Sequence, residues 1–197
     1  LKKVSNWRRF YAVINAASVF MEKAPRTVEL DRSYSEQNLK YDIAQVRALR
    51  AFAYFYMVRI WGDVPLVTYS YDNGTFPSMP RTDAQTVLSY AKAELLTAIK
   101  DLPYQYGTQT NLYYGSYGAQ WQGKLFNKLS AYSVLAHICA WQGNYAEAET
   151  YSSFILDHAS EINAKYTSIA DLTSETGLFY SNASVKGSRI LGFNFAH

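Results

Sequence analysis

The residues best equipped for chemistry in this 197-residue chain form an uncharged stretch, Tyr104-Gln-Tyr-Gly-Thr-Gln-Thr-Asn-Leu-Tyr-Tyr-Gly-Ser-Tyr-Gly-Ala-Gln-Trp-Gln-Gly123. Tyr113, Tyr114, Tyr117 and Trp121 offer flat ring faces. Gln109, Asn111, Gln120 and Gln122 offer planar groups that both donate and accept hydrogen bonds. Sugar recognition uses that pairing, with rings against the apolar side of a pyranose and amides on its hydroxyls. The same residue types also suit a protein interface, or a loop packed down on its own fold. A second segment, 67–80, adds Tyr71, Asp72 and Asn73 as secondary candidates, with Asn73-Gly74 marking a tight turn.

Other chemistries find few residues to carry them, and the chain reads as non-catalytic. His137, His158 and His197 are scattered, with no His-Glu-x-x-His pair and no second cysteine beside Cys139 to hold zinc. There is no Gly-x-Ser-x-Gly elbow and no glycine-rich phosphate loop. Glu147 and Glu149 read as a solvated helix face, and His137 as a packing residue on an apolar one. No catalytic residue, metal ligand or cofactor site is therefore expected. The net charge of +3 is spread among acids without a basic stripe, which argues against nucleic acid. No apolar run approaches the roughly 20 residues that span a bilayer.

Five helices must position these loops. The first is expected over about 5–23, stopping before Pro25. Ser33-x-x-Glu36 has the form of a capping box opening a long helix that ends near Trp61, because Gly62 can close a helix and Pro65 cannot continue one. Thr82-x-x-Gln85 repeats the device ahead of Val87, Leu88, Ala91, Leu95, Ala98, Ile99 and Leu102, which trace one apolar stripe. A hairpin is expected from 124–142 and 145–158 around Gly143-Asn144, with the small-residue spacing of a divergent tetratricopeptide repeat. Stacked hairpins of this kind make an all-α solenoid with long irregular loops, as one domain over 1–197. The stretch Ser188-Arg-Ile-Leu-Gly-Phe-Asn-Phe195 reads as an extended apolar segment short of a partner strand.

Four blocks of this chain, in order, resemble the SusD/RagB family of surface nutrient-binding lipoproteins. They are Trp7-Arg-Arg-Phe-Tyr-Ala-Val-Ile-Asn-Ala-Ala17, then Arg47-Ala-Leu-Arg-Ala-Phe-Ala-Tyr-Phe55 leading into Gly62-Asp-Val-Pro-Leu66, then Arg81-Thr82 through Leu102-Pro103, and last the 131–148 hairpin core. Ala17 stands where the family usually has asparagine. The resemblance implies the N-terminal helical part of a longer SusD-like fold, truncated before its C-terminal half. It implies a non-catalytic protein of the outer-membrane surface that captures oligosaccharides, including starch-like polysaccharides, for a SusC-like TonB-dependent transporter. Membrane attachment is implied only through an N-terminal lipid anchor that these residues do not contain. A peptide-capturing RagB-like member and a tetratricopeptide interaction scaffold are the alternatives. No family binding residue transfers by motif, and Arg47 and Arg50 are expected to pair with carboxylates or carbonyls inside the fold.

Overall fold

The computed structural model describes residues 6–71, 77–108, 112–115, 121 and 123–164. These form five α-helices: α1 (Arg8–Leu30), α2 (Glu36–Trp61), α3 (Ala84–Ala98), α4 (Lys128–Trp141) and α5 (Tyr145–Asp157), followed by a 3-10 turn at Ala159–Ile162. The fold is all-α, with an isolated antiparallel bridge between Val64 and Thr82. The 188–195 segment lies outside the described residues.

Helix α2 is the central element, packed between α1 and α3, while α4 pairs with α5 and leans on α3. Ala44, Ala48 and Ala51 on α2 are fully buried, and their small side chains let neighbouring helices approach closely. Tyr54, Met57 and Val58 continue that face into a core shared with Leu88, Ala91 and Leu95 of α3 and Leu135 and Ile138 of α4. The apolar stripe expected on α3 is the buried face, and it continues past the helix through Ile99 and Leu102. Cys139 is buried as a small core residue.

Helix boundaries differ from expectation where a neighbouring residue makes the better cap. Ser35 rather than Ser33 opens α2, accepting from the Asn38 amide at 3.1 Å. Asp83 rather than Thr82 opens α3, accepting from the Thr86 amide at 2.9 Å, because Thr82 is engaged in the bridge to Val64. Helix α4 begins at Lys128, not near 124, with Asn127 and Ser130 forming a reciprocal capping box. Helix α1 runs through Pro25 instead of stopping before it. Proline removes one backbone donor, and the buried residues of α1, Ile14, Ala17, Ser18 and Ala24, all lie before it. His137, expected to pack, is exposed. The expected stop is confirmed at Gly62, whose φ of +69° closes α2.

The four sequence blocks meet as scaffold. Trp7 and Phe10 set their rings edge-on to Trp61, and Arg81 lies 5.3 Å over the Trp7 ring. The Tyr11 hydroxyl donates to the Pro65 carbonyl at 2.6 Å. The Asp63 carboxylate accepts the Ala84 amide at the start of α3, at 2.9 Å. The motif thus staples the end of α2 to both flanking helices. Arg47 and Arg50 both reach Glu94 of α3, Arg47 Nη1 to Oε1 at 2.8 Å and Arg50 Nε to Oε2 at 3.1 Å. Arg50 also donates to Ser18 Oγ at 2.9 Å, so one buried guanidinium ties α1, α2 and α3 together.

Candidate functional site

Among the described residues of the aromatic loop, some face solvent and others are buried. Gln109, Asn111, Tyr117, Gln120 and Gln122 lie outside the described residues, as do Asp72 and Asn73 of the other loop. Tyr113, Tyr114, Trp121 and Tyr71 remain, and they divide sharply.

Tyr113 is 6% exposed and packs the loop down, a correction to its reading as a ligand-facing ring. Its ring lies 5.0 Å from Tyr106 and 5.3 Å from Trp121, in a small aromatic cluster completed by Tyr41. The cluster is anchored by Gln45 of α2. That amide donates to the Tyr106 hydroxyl and the Phe126 carbonyl while accepting the Phe126 amide at 2.9 Å. Every partner in this set is internal, so Tyr113 offers no free face.

Tyr114 faces the other way and is 51% exposed. Its ring stacks on Tyr34, with centroids 6.2 Å apart and planes 26° from parallel. Both rings line a groove of about 700 Å³ that runs beside α1 from Ala16 to Thr27. Val19, Phe20 and Ala24 give that groove an apolar floor, and Lys23, Asp31 and Ser33 give it a polar rim. Apolar surface beside oriented hydroxyls is the mixture that accepts an amphipathic ligand. The backbone at Tyr114 is unusual, with φ of +49° followed by +66° at Gly115. A bulky residue seldom holds a left-handed conformation unless its surroundings impose it.

Those surroundings centre on Asp42 of α2, which is buried at 8% exposure. Its Oδ2 accepts the Tyr34 hydroxyl at 2.8 Å and the Tyr114 hydroxyl, and its Oδ1 accepts the Tyr113 hydroxyl. Asn38, one turn earlier, accepts the Tyr114 amide at 3.4 Å. Burial, reinforced by the hydrogen bond to Asp42, pushes the Tyr114 phenol up to about 12 and those of Tyr34 and Tyr113 higher still. All three therefore stay protonated donors at neutral pH. Sequence reading missed Tyr34, Asn38 and Asp42. A carboxylate one turn after a buried amide on an aromatic-rich helix was the available signal, but nothing local links it to a loop some 70 residues on.

Trp121 borders a separate cavity of about 300 Å³, with Tyr104, Tyr106, Leu125 and Ile162. Its buried indole N–H meets no acceptor among the described residues. The predicted rings thus divide, Tyr114 lining one cavity and Trp121 the other, while Tyr113 packs in the aromatic cluster. Tyr71 is held to α1, its backbone N–H donating to Asn15 Oδ1 at 2.7 Å and its C=O accepting from Asn15 Nδ2 at 3.0 Å. Its hydroxyl lies 2.6 Å from that of Tyr69, which is exposed.

A further aromatic set lies on α2 and α4, with Tyr56 and Trp141 exposed and Phe55 buried. The Arg59 guanidinium sits over the rings of Phe55, Tyr56 and Trp141 at 5.2 to 5.4 Å, and Trp141 is 54% exposed. No carboxylate pairs with Arg59 among the described residues. No group of three or more His, Cys, Asp or Glu residues there could hold a metal ion, and no described helix is long and apolar enough to cross a membrane.

No protein-family model matches the chain. It is similar to a solved SusD superfamily protein of Bacteroides thetaiotaomicron, with 98% identity and a TM-score of 0.91 over 98% of this chain and 42% of that one. It is 27% identical to a curated SusD-like protein of Formosa agariphila, over 94% of this chain and 33% of the relative. A solved laminarin-binding SusD-like protein matches at 25% identity and a TM-score of 0.60, over 82% of this chain and 30% of that one. The chain therefore spans about a third of that curated relative and less than half of the solved neighbours.

Proposed function

From the premise that the chain belongs to the SusD-like family, we propose that it contributes to a non-catalytic protein that captures oligosaccharides at the bacterial outer-membrane surface. The capture serves import through a partner TonB-dependent transporter. The observation that carries this reading is the Tyr34–Tyr114 platform lining the α1 groove. An exposed ring is available to the apolar face of a sugar, with polar groups along the rim to meet its hydroxyls. The laminarin-binding relative supports a glycan as the ligand class. Tyr114 is the residue we assign to ligand contact from the aromatic loop. Tyr117, Gln109, Asn111 and Gln120, together with Asp72 and Asn73, remain part of the proposal on residue type alone, and Trp121 lines the second cavity.

The Arg59–Trp141 patch supports the partner-binding half of the reading. Trp, Tyr and Arg dominate the energetic centres of protein interfaces, and a guanidinium held by three rings, with no carboxylate partner among the described residues, is suited to a partner's carboxylate.

The test is a glycan-array screen of the full-length protein, followed by Tyr114→Ala on the strongest response. Loss of a stacking ring should weaken binding about tenfold. Selective retention of peptides with no glycan response would transfer the reading to peptide capture. Glycan binding unaffected by Tyr114→Ala would remove the platform from the site.

A further inference from the structure

We propose that Asp42 is the positioning residue for the Tyr34–Tyr114 platform, a buried clasp on α2 that sets the loop conformation presenting Tyr114 to the groove. The inference rests on reading that platform as the ligand face. Among the described residues no cation pairs with Asp42, so its buried charge depends on the phenols of Tyr34, Tyr113 and Tyr114. Hydrogen bonds to an ionised acceptor are roughly twice as strong as neutral ones, and here they join two separate pieces of chain, residue 34 and residues 113–114, to one carboxylate on α2.

The division of labour follows from the two carboxylate oxygens. Oδ1 takes the inward-facing Tyr113, which locks the loop against the Tyr41–Tyr106 cluster. Oδ2 takes both members of the stacked outward pair, fixing their hydroxyls on one acceptor and hence the register of their rings. The positive φ of Tyr114, directly after the first anchor at Tyr113, and of Gly115 after it turns the chain where it passes from one anchor to the other. Tyrosine is poorly suited to that conformation, and release of its hydroxyl would let the turn relax to a more common backbone geometry. The exposed ring would then leave its place beside Tyr34.

Asp42→Asn tests this with almost no change of shape. The amide keeps one acceptor but turns a donor toward hydroxyls that are themselves donating, and the charge is gone. Tyr113→Phe is the second variant, removing only the inward anchor. Amide hydrogen exchange is measured on the full-length proteins, together with retention of laminarin and of the array glycans. The Tyr114 amide is a direct reporter because Asn38 accepts it. Exchange at residues 112–115 should accelerate about tenfold in Asp42→Asn, with protection of α2 and α3 unchanged, and glycan retention should fall by a similar factor. Unchanged exchange at 112–115 in both variants would overturn the proposal, as would faster exchange with undiminished glycan retention. Faster exchange in a protein whose wild type retains neither laminarin nor any array glycan would uphold the clasp and overturn the glycan reading.

Discussion

Replacing Glu94 by Ala should be among the most damaging single changes to this fold. Its carboxylate receives Arg47 at 2.8 Å and Arg50 at 3.1 Å through Nε, with Nη2 of Arg50 on the same oxygen. The two arginines differ in what they lose. The Arg47 side chain is 27% exposed and can turn to water, so its pairing contributes about 0–1 kcal/mol. The Arg50 side chain is 6% exposed, and without Glu94 it keeps only Ser18, a distant Thr68 carbonyl and the Tyr90 ring. An uncompensated buried guanidinium costs about 3–5 kcal/mol, a large share of the roughly 5–15 kcal/mol that stabilises an ordinary domain. Urea unfolding of wild type, Glu94→Ala and the double variant Glu94→Met/Arg50→Met measures the loss. The double variant should recover most of it, because removing both buried charges avoids stranding either one. A Glu94→Ala loss below about 1 kcal/mol, or a double variant worse than the single, would refute this account of how α1, α2 and α3 are joined.

Three further outcomes follow from the geometry. Tyr54→Phe should cost about 1–3 kcal/mol and speed amide exchange at Val67, since the Tyr54 hydroxyl both donates to the Val67 carbonyl and accepts its N–H at 2.8 Å. Gly62→Ala should cost about 1–3 kcal/mol by thermal unfolding through backbone strain alone, because an added Cβ there meets nothing within 4 Å while φ is +69°. Alkaline titration should loosen the Asp42 clasp. The folded Tyr114 phenol, at about 12, lies above its ordinary value of 10.0. The stability it contributes is thus complete below pH 10 and lost as pH rises toward 12. The tyrosinate absorbance difference between wild type and Tyr114→Phe reads this, and Tyr114 titrating at its ordinary value would contradict it.

Local chemistry made much of the scaffold legible. Gly62 and Pro65 have no alternative use after an apolar helix, so the end of α2 could be read from residue types. Arg47 and Arg50, one turn apart on that helix, required internal partners, although sequence could not say that Glu94 would serve both. Competition between near neighbours was harder to read. Ser35 displaced Ser33, and Asp83 displaced Thr82, because the pairing of Thr82 with Val64 depends on tertiary geometry. Pro25 lies inside α1, where one missing donor did not end the helix. The aromatic loop was the least legible part. Tyr113 and Tyr114 are adjacent and chemically identical, yet one is core and the other surface. That choice is made by Asp42 and by two left-handed residues, which no pattern of hydrophobicity records.

The most direct measurement is a crystal structure of the full-length protein with the strongest array glycan bound. The account predicts a pyranose ring with its apolar face within about 4 Å of Tyr114, lying along the α1 groove, and Tyr113 untouched beneath it. A glycan held elsewhere on the molecule, with the Tyr34–Tyr114 pair bare, would contradict it.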